Sequence, residues 1–148
     1  MGLGLPSSHD LLYTAEIVVY FWNLSMSHTS PITLLLVDDS RVARLSLLRQ
    51  LKSFPLEFTI LEAASADEAQ ALMVDKQADA ALIDFNMPGR DGIELAHAFR
   101  QSHPKMKMAL VTANIQEALM KRAHELGMAF LGKPANTAEL ARFLGVTL

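Results

Sequence analysis

Five short apolar runs, ITLLLV (32–37), FTILEA (58–63), AALID (80–84), KMALVT (107–112) and AFLG (129–132), alternate with stretches of helical period. This alternation constrains the fold more than any other feature of the chain. Most of the runs are continuously apolar, as strands covered by helices on both faces must be, and successive parallel strands need a crossover helix between them. The pattern predicts an α/β protein with a doubly wound, five-stranded parallel sheet. Strands are expected over 32–38, 58–63, 80–84, 107–112 and 129–132, with helices over 41–53, 66–77, 92–102, 115–126 and 137–144.

Helix starts carry their own punctuation. Ser65 with Glu68, Asp91 with Glu94, Asn114 with Glu117 and Asn136 with Glu139 each set a capping side chain three positions before a Glu. At that spacing the first side chain accepts from a free amide of the first turn while the Glu reaches back. Gly127 and Gly145 read as helix stops.

Polar residues stand where four of the apolar runs end: Asp38-Asp39, Asp84, Thr112 and Lys133-Pro134. In an open parallel sheet these ends share one edge, so distant residues converge in one crevice. The second run ends in EAAS and offers nothing comparable, which a strand order of 2-1-3-4-5, a known pattern of doubly wound sheets, would explain by placing that strand at the outer edge. Taken singly, adjacent aspartates are an ordinary turn and cap, and Lys-Pro an ordinary loop. Together, three carboxylates, a hydroxyl and an ammonium make a set suited to a divalent cation and a phosphoryl group. Magnesium prefers oxygen ligands, keeps several waters and needs only one or two carboxylates.

Composition narrows the function classes. A chain of 148 residues with 51% hydrophobic residues suits one domain with a proper core and leaves no room for a second folded output domain. A net charge of -3, with 13 scattered Lys and Arg, argues against a nucleic-acid partner. The absence of cysteine removes disulfides and thiolate metal sites and fits a cytoplasmic location. His9, His28, His97, His103 and His124 show no metal-ligand spacing and read as solvated surface residues.

The motifs DDS (38–40), IDFNMPGRDG (83–92), VTAN (111–114) and FLGKP (130–134) occur in an order and spacing that resemble the receiver domain of two-component response regulators, over roughly residues 31–148. The resemblance implies a flavodoxin-like receiver fold and a stand-alone, chemotaxis-receiver-like phosphoacceptor. Such a protein catalyses its own phosphorylation and dephosphorylation and is not an enzyme with a separate substrate. It implies Asp84 as the phosphoacceptor, with Lys133, Thr112 and the backbone amide of Ala113 contacting the phosphoryl oxygens. Mg2+ would be held directly by Asp39, Asp84 and the backbone carbonyl of Asn86, and by Asp38 through water.

Thr112 and Phe130 are the implied switch pair, Asn86 and Asn114 the positions that tune dephosphorylation, and the Lys133-Pro134 peptide bond is expected cis. Pro88-Gly89 fits a tight turn beneath the metal. The implied phosphate donor is a sensor histidine kinase or a histidine phosphotransfer protein. An output protein would bind at the fourth helix, fifth strand and fifth helix. There Met120, Lys121 and His124 face away from Ile115, Leu119 and Leu126.

Two other classes compete. A haloacid dehalogenase-like phosphohydrolase carries its nucleophile as D-x-D on the first strand, whereas this pair is adjacent. A flavodoxin-like cofactor binder needs a hydroxyl- and glycine-rich loop after the first strand, where DDSRVAR is acidic.

Residues 1–30 stand outside the alternation as an N-terminal extension, and Met26 opens a segment that reads like a natural receiver start. LLYTAEIVVYFWNL (11–24) is too short for a membrane span and lacks the basic flank of a signal peptide. Leu11, Leu12, Ala15, Val18, Val19 and Trp22 recur at three- and four-residue steps. Two readings stay open for this apolar arm: a frayed tail, or a helix over 10–24 that packs on a receiver surface across a homodimer.

Overall fold

The computed structural model describes residues 31–148. The helix expected over 10–24, the dimer contact expected of it, and His9 and His28 lie outside the described residues. In chain order the elements are β1 (Ile32–Val37), α1 (Arg41–Lys52), β2 (Phe58–Ala63), α2 (Ala66–Leu72), β3 (Ala80–Asp84), α3 (Gly92–Ser102), β4 (Lys107–Thr112), α4 (Glu117–Glu125), β5 (Ala129–Gly132) and α5 (Thr137–Leu144). The strands form one parallel sheet in the order β2-β1-β3-β4-β5, as expected.

The two-residue side-chain period of the strands sorts the apolar residues into two layers. Leu35, Val37, Ala81, Ile83, Met108 and Leu110 pack with Met73 of the α2 C-cap, Leu95 and Phe99 of α3, and Leu119 and Ala123 of α4. Their neighbours Leu34, Leu36, Leu82, Ala109 and Val111 face the other way, against Leu47 and Leu51 of α1 and Leu140 and Leu144 of α5. Because β1, β3 and β4 lose water on both faces, their runs carry no polar alternation. Each fully enclosed Leu or Phe contributes about 1.5–3 kcal/mol of burial free energy.

At three of the four expected helix starts the capping side chain accepts from the Glu amide three positions on. Glu68 N donates to Ser65 Oγ at 3.0 Å, Glu94 N to Asp91 Oδ1 at 2.9 Å and Glu139 N to Asn136 Oδ1 at 3.1 Å. Gly127 and Gly145 follow their helices with φ of 68° and 73°.

The fourth box is corrected. Asn114 Oδ1 accepts from Gln116 N at 3.2 Å, so it closes a turn, and α4 starts at Glu117 behind Gln116 without a side-chain cap. The cause lies one step upstream. Thr112 Oγ1 accepts from Asn114 N at 3.0 Å, which bends the chain at the strand end and delays helical geometry. Ile115, read as an inner residue of this helix, therefore precedes it and is 71% exposed.

Two further expectations change. Helix α2 stops at Leu72, not at residue 77, and Val74 after it is 84% exposed. The segment leaves the helix to reach β3: Asp79 N donates to Thr33 O at 2.8 Å, and Asp79 Oδ2 accepts from Thr33 N at 2.8 Å. His97 and His124 are exposed, but His103 is buried. Its Nε2 lies 3.0 Å from the Lys76 carbonyl, and its ring stands edge-on to Phe99. A carbonyl only accepts, so Nε2 carries the proton.

Among the described residues no helix is long and apolar enough to cross a membrane.

Candidate functional site

The C-terminal ends of β1, β3, β4 and β5 bring Asp38, Asp39, Asp84, Thr112 and Lys133 to one edge of the sheet. Register does part of this work. Asp84 pairs with Val111, Thr112 pairs with Gly132, and Lys133 N donates to Thr112 O at 3.0 Å. Residues nearly fifty positions apart are thereby fixed as neighbours by main-chain bonds.

Asp38, Asp39 and Asp84 each turn a carboxylate oxygen into a space where these atoms lie within 4.8 Å of one another. Asp38 and Asp84 are buried and Asp39 is exposed, so the cluster opens to solvent on one side. Lys133 Nζ sits between two of them, 2.7 Å from Asp38 Oδ2 and 3.0 Å from Asp84 Oδ1. Asp38 Oδ1 accepts from Ser40 N at 2.9 Å, which holds the carboxylate while Ser40 Oγ caps α1.

The charges do not balance. Burial pushes the Asp84 carboxyl above its ordinary value, the Lys133 hydrogen bond pulls it back, and the charges of Asp38 and Asp39 push it up again. For Lys133 burial acts downward, but the hydrogen bonds to Asp38 and Asp84 and the charges of both carboxylates together outweigh it, and the ammonium is held above its ordinary value. Three carboxylates sharing one ammonium favour a hard divalent cation, and the donor set fits magnesium in kind.

The Thr112 side chain is wholly buried, Ala113 is exposed, and Asn114 is half-buried in the loop after β4. Phe130 is half-buried and packs on the layer that includes α3 and α4. Asn86 is exposed two residues after Asp84, ahead of the turn in which Gly89 takes φ of 80°. The Lys133-Pro134 bond is cis. Met120, Lys121 and His124 are exposed on α4.

Two residues of the site escape sequence reasoning. Arg44 of α1 donates through Nη1 to the carbonyl of Asp38 and through Nε to Glu62 Oε1 at 2.9 Å. Gly92 opens α3 so close to β3 that a Cβ there would collide with the carbonyl of Asp84. Only the juxtaposition of Gly92 with the end of the third apolar run, eight residues earlier, hinted at it.

Comparison with known proteins places this geometry. The family described as response regulator receiver domain matches residues 34–144. The chain is 29% identical over 112 residues to the response regulator GacA of Pseudomonas syringae, covering 75% of this chain and 52% of that protein. It is 32% identical over 112 residues to the sensor kinase CckA of Brucella abortus, covering 74% of this chain and 12% of that protein. It thus spans about half or less of these curated relatives. Among solved structures, a CheY-like receiver domain protein from Methanospirillum hungatei superposes with a TM-score of 0.69 at 27% identity, covering 78% of this chain and 92% of that one. The Borrelia burgdorferi CheX–CheY complex with BeF3 and Mg2+ gives 0.70 at 25% identity, over 77% and 87% of the two chains. Sheet order and sequence agree with the match over residues 34–144, and the chain belongs to the response regulator receiver domain family of two-component signalling.

Proposed function

We propose that this chain accepts a phosphoryl group on Asp84, with Mg2+ bound beside it, and passes the signal to a protein partner. The observation that carries the reading is Lys133 Nζ bridging Asp38 and Asp84 within a cluster of three carboxylates. Asp39, Asp84 and the Asn86 carbonyl would hold the cation directly and Asp38 through water. The cation supplies positive charge that offsets the carboxylates and the incoming phosphoryl oxygens. The Borrelia neighbour, solved with BeF3 and Mg2+, supports this reading.

In the transfer, an Asp84 carboxylate oxygen forms the new P–O bond as the P–N bond to a partner's imidazole breaks, and the electron pair stays on that nitrogen. The reaction spreads charge over the equatorial oxygens, so the protein contributes positioning and charge stabilisation. Lys133 releases one of its carboxylate contacts to meet a phosphoryl oxygen, and the Thr112 hydroxyl and Ala113 amide donate to others. The Thr112 oxygen already accepts from Asn114 N, which leaves its proton to give.

The phosphate source is a histidine kinase or histidine phosphotransfer protein. The exposed Val42 and Leu45 of α1, with a recess of about 260 Å³ lined by Leu47, Val111, Lys133 and Pro134, offer it an apolar approach to the site. Movement of Thr112 toward phosphate would let half-buried Phe130 rotate, which alters the surface of α4, β5 and α5 for an output protein. Asn86 and Asn114 would flank the path of the hydrolytic water.

Incubation with acetyl phosphate, with and without Mg2+, and intact-mass measurement test the reading. Wild type should gain one phosphoryl group only with Mg2+, and Asp84→Ala none. Asn86→Lys and Asn114→Lys should label yet lose phosphate at altered rates. Labelling of Asp84→Ala, or equal labelling in excess chelator, would refute the assignment.

A further inference from the structure

We infer that Arg44 and Glu62 form a clamp that positions the metal-binding aspartates, giving β2 a part in the site although its end carries no site residue. The inference rests on the magnesium reading above. Glu62 pairs in register with Leu36, two residues before Asp38, and Arg44 lies in the first turn of α1. Its guanidinium donates to the Asp38 carbonyl and, at 2.9 Å, to Glu62 Oε1, with only 14% of the side chain exposed. On the other side, Asp38 N donates to Ala63 O at 3.1 Å. Both main-chain polar groups of Asp38 are therefore tied to β2, one directly and one through Arg44.

The carbonyl that Arg44 holds belongs to the planar peptide group joining Asp38 to Asp39. Fixing that plane fixes the N and Cα of Asp39, and leaves only rotation about the N–Cα bond to set the direction in which its exposed side chain leaves the main chain. A planar fork can hold two acceptors at once in this way, which an ammonium does less well. Arg44 is thus a positioning residue for Asp39.

A competing effect has the opposite sign. A guanidinium near a cation site repels the cation, so its removal by itself would tighten Mg2+ binding. Glu62 offsets that charge, and positioning is left as the larger effect.

Calorimetric titration of the full chain with MgCl2 separates the two. Arg44→Ala should raise the Mg2+ dissociation constant by about tenfold, in line with the loss of outer-shell partners at metal sites. Arg44→Lys should recover part of the loss. Glu62→Ala, at a half-exposed position, should weaken binding in the same direction and by less than Arg44→Ala. The charge-neutral pair Arg44→Ala with Glu62→Ala should remain as weak as Arg44→Ala. A folded Arg44→Ala with wild-type or tighter affinity, or a double variant restored to wild type, overturns the clamp. Absence of Mg2+ binding by wild type would overturn the reading of the site itself.

Discussion

Gly92 is where the fold and the candidate site constrain each other most directly, and Gly92→Ala tests that constraint. Its N–H donates to Phe85 O at 3.0 Å, so the start of α3 is tied against the end of β3. A Cβ there would overlap the Asp84 carbonyl oxygen and stand 3.0 Å from its carbon and 3.1 Å from Ile83 Cγ2. Two of those obstacles are backbone atoms of a strand whose five residues are all buried, so they cannot yield as a side-chain tip would. The first turn of α3 must move instead, against the packing of Ile93, Leu95 and Phe99. Overpacking of this kind costs about 1–3 kcal/mol, and the better helix propensity of Ala returns less than about 1 kcal/mol at a first-turn position. A net loss of about 2 kcal/mol is expected in urea unfolding followed by circular dichroism. Acetyl phosphate labelling should slow, because the same movement drags Asp84, the proposed acceptor. Gly89→Ala is the control: open space surrounds that position, φ is 80°, and only backbone strain of about 1 kcal/mol is expected. A Gly92→Ala protein within about 0.5 kcal/mol of wild type, the usual range of a neutral surface change, would show that the close approach has no consequence.

Two other outcomes follow from burial. In excess chelator the folded state raises the Asp84 carboxyl above its unfolded value, so it binds that proton more tightly than the unfolded chain does. The stability this group contributes is full below the unfolded value and is lost as pH rises through the raised one. Asp84→Asn should therefore be more stable than wild type near neutral pH, with the gap closing in acid. Urea midpoints across a pH series check this, and a gap that widens toward acid contradicts it. His103→Ala should cost about 2 kcal/mol, from the lost Lys76 carbonyl bond and the edge contact with Phe99, and thermal or urea unfolding within error of wild type would contradict its role in the core.

What the sequence reveals and what it conceals divide along a physical line. The strands and the Asp38, Asp84, Thr112 and Lys133 edge are legible because each follows from local periodicity plus one topological rule, while the strand order is legible as a match to a known pattern of doubly wound sheets. Asn114 misleads because its side chain serves equally as a helix cap or a turn former. The choice was made by Thr112, whose hydroxyl takes the Asn114 amide. Ile115 follows that error, since a residue outside the helix has no helical face to occupy. The end of α2 is set by Asp79 meeting Thr33 across 46 positions, and the burial of His103 by a carbonyl 27 residues away. No local pattern encodes either contact. Arg44 escapes for the same reason, because DDSRVAR gives no sign of which arginine turns back toward Asp38 or meets Glu62.

The Lys133 ion pairs alone do not balance the charge of the site, which is held together as much by its surroundings. Three carboxylates face one ammonium, and Asp84 is buried at a cost that the Lys133 hydrogen bond only partly offsets. Beside its ion pair with Lys133, Asp38 is kept in place by Ser40 N on its side chain, Ala63 O on its amide and the Arg44 guanidinium on its carbonyl. Behind them stand two apolar layers that immobilise β1, β3 and β4 on both faces. Such an arrangement holds an unfavourable negative charge in a rigid frame, and a cation entering the cluster would offset it. Lys133 touches two of the carboxylates, and its amide is bonded to Thr112. A change of charge at Asp84 therefore acts first on the group that joins β4 to β5, the two strands nearest the surface proposed for the output partner.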